Sequence, residues 1–218
     1  DLSMDAVIFD MDGVLIDSQP YHYKADIATM SEYGVHKNEK FYEAFAGTTT
    51  PERMSRIKNM FSLEASVEEM TAKREQMILD IIGSEDICAV KGIPELLMSI
   101  KSKGMKTAVA SSSSEELIHR IIGRLGISQY FDSVTSGLDA QRGKPAPDVF
   151  LLAAERIGAE PEKCVVIEDS AYGVQAAVAA GMTAIGYVNP TSGNQCLEGA
   201  KLIIDDFTKL DMGIICTL

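Results

Sequence analysis

The run VIFDMDG, from Val7 to Gly13, brings two aspartates, Asp10 and Asp12, to the end of a strongly apolar stretch and follows them at once with glycine. Burying carboxylates there is costly unless something pairs with them. Three other stretches offer partners: VASSS with Ser111, RGKPAPD with Lys144, and VVIEDS with Glu168 and Asp169. Aspartates at i and i+2 of an extended backbone point the same way, so one can attack while its neighbour manages protons. Glu168 and Asp169, with Asp10, suit the oxygen coordination of Mg2+. Magnesium and Lys144 would neutralise both these carboxylates and incoming phosphoryl oxygens, and Ser111 can donate a hydrogen bond to the same oxygens.

Such a group assembles only if the elements carrying it end at one edge. Apolar, β-branched runs recur at DAVIFD, KTAVAS, CVVIED and TAIGYV, with a weaker one at KLIID; these read as buried strands. Between them lie helical patterns over Pro94 to Lys103, Glu115 to Leu125, Pro147 to Ile157 and Ala171 to Ala180, each followed by glycine. The alternation predicts a doubly wound α/β fold with a mainly parallel, Rossmann-like sheet. Ligands of such sheets bind beyond the carboxyl ends of the strands, where Asp10, Asp12, Ser111, Glu168 and Asp169 fall.

From Asp17 to Cys88 no strand pattern is present. Thr50 and Pro51 read as N-cap and first helical position, and Ser66 with Glu69 as a capping box, so several short helices are expected. The predicted organisation is an α/β core of residues 1–16 and 89–218, interrupted by a helical cap of residues 17–88. Short hinges are expected near Ile16 to Gln19 and Cys88 to Gly92.

Composition narrows the partners. A chain of 218 residues, 46% hydrophobic, can bury a core. Its net charge of -12 disfavours nucleic acid and anionic membranes, which need a basic footprint. No apolar run reaches the roughly 18 residues of a membrane span, and no signal pattern opens the sequence, so a cytoplasmic protein is expected. The four cysteines, Cys88, Cys164, Cys196 and Cys216, lack metal-ligand spacing and read as reduced thiols.

The motifs DMDGV, VASSS, GKPAPD and VVIEDS resemble, in order and approximate spacing, those of the haloacid dehalogenase-like phosphohydrolase superfamily. The resemblance implies that Asp10 is a nucleophile forming an aspartyl-phosphate and that Asp12 protonates the leaving group, then activates water. It also implies that Ser111 and Lys144 hold the phosphoryl group, with Ser112 beside them as a substrate contact. Mg2+ would be held by Asp10, the backbone carbonyl of Asp12, Glu168 and Asp169.

The helical insertion is similar to the small cap of the subgroup containing β-phosphoglucomutase and sugar-phosphate phosphatases. By that likeness His22 matches a histidine that helps shuttle a proton, and Gly47, Thr48 and Thr50 belong to a substrate-reading loop. The basic residues that flank this loop's glycine in mutases correspond to Ala46 and Thr50, and another to Ser114. Holding a bisphosphate needs cationic grip at both ends. The expected activity is therefore hydrolysis of small phosphorylated metabolites, sugar phosphates foremost, by a monomer or weak homodimer; β-phosphoglucomutase and pyrophosphatase activities are the alternatives.

Each residue has a plainer reading alone: Asp12 and Gly13 as a turn, Glu168 to Ser170 as a helix cap, Ser111 to Ser114 as a cap cluster, Lys144 as a surface charge. Four such coincidences in family order favour the chemical reading. Met11 is expected to pack on the opposite side of the strand, Arg53 to be solvated, and Asp139, Arg142 and Asp148 to brace the Lys144 loop.

Overall fold

A computed structural model describes residues 3–45, 48–191 and 195–218. They divide into two compact units, residues 1–17 with 87–218 and residues 18–86.

The larger unit is built on six parallel strands: β1 (Ala6–Phe9), β2 (Lys106–Ser111), β3 (Ser133–Ser136), β4 (Cys164–Glu168), β5 (Thr183–Tyr187) and β6 (Leu202–Ile204). Their order is β3-β2-β1-β4-β5-β6. The winding direction reverses between β1 and β4, whose register pairs Phe9 with Ile167. Both strands are apolar throughout except for Glu168 at the end of β4 and are buried on both faces, as a covered parallel sheet requires. Ala6 and Ile8 pack with Val149, Phe150 and Ala153 of α7 (Asp148–Arg156) and with Val174 and Ala177 of α8 (Ala171–Ala179). Helices α5 (Ile93–Ser102), α6 (Glu115–Arg124) and α9 (Met212–Cys216) complete this unit.

Strand β3 departs from the sequence expectation. Its four residues, SVTS, hold a single apolar side chain, too little for a hydrophobic pattern. It is a strand because β2 offers a partner in register, from Ala108 with Ser133 to Ser111 with Ser136. Tertiary pairing has outvoted local composition.

The second unit contains α1 (Gln19–Glu32), α2 (Glu39–Glu43), α3 (Thr50–Phe61) and α4 (Val67–Ser84). Met30, Tyr42, Met54, Ile57 and Met70 form its core. The Ser66 hydroxyl accepts from Glu69 N at 3.1 Å and caps α4, which at 18 residues is longer than the short helices expected. The cap of α3 is Thr49, not Thr50: its hydroxyl accepts from Glu52 N at 3.3 Å, and Thr50 and Pro51 occupy the first helical turn. A threonine triplet leaves this choice open by one residue in the sequence. No helix of the described residues is long and apolar enough to cross a membrane.

Candidate active site

The pairing of β1 with β4 continues one step beyond the strand, with Asp10 N donating to Ile167 O at 3.0 Å. The backbone then leaves the extended conformation. The amides of Val14 and Leu15 both donate to Met11 O, at 3.1 and 2.9 Å, closing a tight turn. Asp12 follows the bend at Met11 and pairs with Ile16 in an isolated parallel bridge. Met11 is fully buried, in its expected packing role. Gly13 has φ +83°, and a Cβ there would lie 1.9 Å from Asp169 Oδ2, so only glycine admits both the turn and the neighbouring carboxylate.

Asp10 and Glu168 are joined by one cation. Lys144 Nζ lies 3.1 Å from Asp10 Oδ1 and 2.7 Å from Glu168 Oε2, and all three side chains are almost wholly buried. Burial pushes the Asp10 carboxyl well above the usual range; Glu168, Asp169 and Asp12 add to the rise, and Lys144 opposes it. Burial works against the Lys144 ammonium, but Asp10 and Glu168 outweigh it and raise its pKa. Carboxylate oxygens of Asp10, Glu168 and Asp169 all lie within 4.8 Å of one another. Three carboxylates around one lysine leave negative charge to spare, and hard oxygen donors at this spacing could hold a divalent cation.

Glu168 is fixed from both sides. Its Oε1 accepts from Asp169 N at 3.0 Å, Ser170 N at 3.4 Å and Ser170 Oγ at 3.3 Å. Ser170 Oγ in turn accepts from Gly173 N at 3.0 Å, so this serine both caps α8 and holds the acid. The carboxylate occupies the space a side chain on residue 173 would fill, since a Cβ on Gly173 would lie 1.9 Å from Glu168 Cδ. The first turn of α8 is thereby a seat for Glu168, and its N-terminal dipole favours the charge.

Ser111, at the end of β2, is buried, and its hydroxyl accepts from Ser113 N at 3.1 Å; Ser112 is exposed. Ser113 was not singled out from the sequence, yet its hydroxyl donates to Asp12 Oδ2 at 3.1 Å. Its carbonyl accepts from Ser136 Oγ at 2.6 Å, so β3, the strand lacking a sequence pattern, steadies this contact. Asp148 takes three hydrogen bonds from Arg142, through N, Nε and Nη2. Asp139 pairs with Arg156 at 3.3 Å and does not brace the Lys144 loop with Arg142 and Asp148.

The helical unit gathers a second set of charges. Asp26 accepts from Arg74 Nε at 3.1 Å, while Arg53 Nε stands 3.1 Å from its other oxygen without hydrogen-bond alignment. Arg53 is buried at 9% exposure, against the expectation of a solvated charge, because Asp26 draws it inward. Arg74 Nη2 meets His22 Nδ1 at 2.9 Å and donates to His22 O at 3.3 Å. A guanidinium can only donate, so Nδ1 is the accepting nitrogen and Nε2 carries the ring proton. Thr48 and Thr50 hydroxyls accept from Arg53 at 3.4 Å each. Gly47 lies outside the described residues.

A parallel α/β sheet with crowded carboxylates and a lysine at its switch point defines a class: an enzyme whose ligand site lies beyond the ends of β1 and β4. Residues 7–187 match the family model of the haloacid dehalogenase-like hydrolases, and the chain belongs to that family. It is 34% identical over 201 residues to a phosphorylated carbohydrates phosphatase of Thermotoga maritima, spanning 92% of this chain and 93% of that one. A fructose-1-phosphate phosphatase of Escherichia coli is 36% identical over 185 residues, 82% of this chain and 94% of the other. The crystal structure of a β-phosphoglucomutase from Clostridium difficile superposes with a TM-score of 0.81 at 29% identity, covering 97% of this chain and 95% of that one.

Proposed function

We propose that the protein is a Mg2+-dependent phosphatase of small phosphorylated metabolites, sugar phosphates foremost, working through an aspartyl-phosphate on Asp10. The observation that carries this reading is Lys144 bridging Asp10 and Glu168 at the sheet's switch point, with Asp169 beside them. A nucleophilic carboxylate must be both ionised and approachable by an anion, and a buried ammonium supports both conditions. The phosphatase names of the two relatives point to the same leaving groups.

The donor set suits Mg2+: three carboxylates supply oxygen ligands, and their surplus negative charge needs a counter-ion. Asp10, Glu168 and Asp169 would hold the ion, with the Asp12 carbonyl as a further ligand, and when bound it supplies charge neutralisation for the phosphoryl oxygens. Lys144 and Ser111 orient those oxygens. An Asp10 oxygen bonds to phosphorus as the bond to the leaving oxygen breaks, and Asp12 gives that oxygen its proton. Water then attacks phosphorus, Asp12 takes the water's proton, and the Asp10 carboxylate is regenerated as phosphate leaves.

Residues 18–86 act as the cap, with His22, Thr48 and Thr50 among the groups that read the leaving group. Arg53 is committed to Asp26 within this unit. Such a commitment favours hydrolysis over a mutase, whose bisphosphate needs cations at both ends.

A screen of phosphorylated metabolites read by phosphate release tests the proposal. Turnover should require Mg2+, stop on chelation, and fall about 10^4-fold or more in Asp10→Asn. Supplying β-glucose 1-phosphate with a trace of bisphosphate separates the alternatives. Free phosphate supports the phosphatase, and isomerisation to glucose 6-phosphate without phosphate release defeats it.

A further inference from the structure

The segment that follows β5 has no part in the four motifs, yet it is tied to two of them by a buried and a half-buried amide side chain. Asn189, 5% exposed, donates through Nδ2 to Gly13 O at 3.1 Å. Its backbone N donates to Gln195 Oε1 at 3.0 Å. Gln195 Nε2 donates to Asp169 O and, at 3.0 Å, to Tyr187 O. Thr191 closes the arrangement: its N donates to Asn189 Oδ1 at 3.0 Å, and its one hydroxyl proton is shared between Asp17 Oδ1 at 2.6 Å and Asn189 Oδ1 at 2.9 Å.

We propose that Asn189 and Gln195 are positioning residues for the cation site, clasping the Gly13 turn to the Asp169 turn so that their acidic groups stay at ligating distance. The proposal rests on the cation reading of the site given above. Both N–H groups of Gln195 meet carbonyls and its oxygen meets an N–H, which fixes the orientation of the amide. Two of the three carbonyls held by these side chains belong to residues in close approach, Gly13 and Asp169, where a Cβ on the glycine would stand 1.9 Å from the carboxylate. Gly13 follows Asp12 directly, and Asp169 is one of the three clustered acids. A clasp at that point sets the spacing of the turns without touching the ion. Groups behind the ligands of a metal site commonly alter its affinity by 10–100-fold.

Near-isosteric exchanges separate this role from others. Gln195→Glu sets a carboxylate against two carbonyl oxygens, and Asn189→Asp does the same to Gly13 O, while each adds negative charge near a cation site. Charge alone would tighten Mg2+ binding; a broken clasp weakens it. Titration calorimetry of Mg2+ on the folded full chain should show binding weakened about tenfold or more in both variants. Neutral Gln195→Met should match, and excess Mg2+ should restore most of the turnover lost. Thr191→Val, at an exposed position, loosens Asn189 with little risk to folding and should weaken binding by a smaller factor. Unchanged or tighter Mg2+ binding in the folded variants, with only a lower melting temperature, would overturn the proposal. If the unaltered protein bound no Mg2+, the cation reading itself would fall, so the two failures are told apart.

Discussion

The two units bury charge in opposite ways. At the sheet's switch point one lysine serves Asp10 and Glu168, with Asp169 close by. In the helical unit one carboxylate, Asp26, serves two guanidiniums, Arg53 and Arg74. The first arrangement carries a negative surplus at the sheet edge where ligands of such folds bind, and it could hold a divalent cation. The second is a framework: Asp26 orders two arginines, and these hold His22, Thr48 and Thr50 by hydrogen bonds. An unbalanced buried charge marks a site awaiting a partner only where its remaining ligand directions are open.

Removing the central group of each cluster tests that distinction at its strongest. Asp26→Leu leaves two guanidiniums without their shared carboxylate and should cost about 3–5 kcal/mol of stability, read by urea denaturation. No added metal ion should recover it. Lys144→Met should lower turnover about 10^2 to 10^3-fold, while Mg2+ should return much of any stability lost, because an ion can replace one cation among carboxylates. If Mg2+ stabilised the Asp26 variant as well as the Lys144 variant, the two clusters would not differ in the way described.

The charged residues of the switch-point cluster were legible in the sequence because each ends an apolar run or lies in a compact polar motif. Asp10, Glu168 and Asp169 needed only the rule that parallel strands deliver their ends to one edge, whereas Lys144, in a loop before a helix, was legible only through its GKPAPD motif. Strand β3 was not legible, since SVTS becomes a strand only through β2. Ser113 and Asn189 were hidden for another reason: a serine in SSSS and an asparagine in a turn-rich segment carry no local sign of their partners, which lie 101 and 176 residues away. The same edge rule applied to the segment leaving β5 would have directed attention to Asn189. Arg53 was misread as solvated because its partner, Asp26, lies on another helix of the same unit.

The acidic surplus also predicts how stability responds to pH. Burial and neighbouring acids raise the Asp10 pKa above its unfolded value, so the folded chain holds that proton more tightly than the unfolded chain does. In metal-free protein the contribution is fully present below the unfolded Asp pKa and is lost as pH rises through the raised folded one. Mg2+ needs the ionised form, so its stabilisation should grow over the same interval, reaching about 2.7 kcal/mol at a hundredfold excess over its dissociation constant. Thermal melts with and without Mg2+ across acid to neutral pH would show the two curves diverging upward. Parallel curves would mean that Asp10 does not belong to the cation site.

The smallest expected effect concerns Asp12, the second acid of the DMD pair. Ser113 donates to its Oδ2, and Ser136 steadies Ser113 from β3. On the proposed mechanism, a hydroxyl donating to the Asp12 carboxylate would assist the water-activating half of the cycle more than the protonation of the leaving group. Ser113→Ala removes one such bond, worth about 1–1.5 kcal/mol, and should slow release of phosphate from the aspartyl-phosphate roughly tenfold. Ser113→Thr keeps the hydroxyl and should restore the rate. Single-turnover measurements separate the two half-reactions. Equal slowing of both would show that Ser113 sets only the place of Asp12, whereas slowing confined to the second half would tie the strand without a sequence pattern to the choice between acid and base.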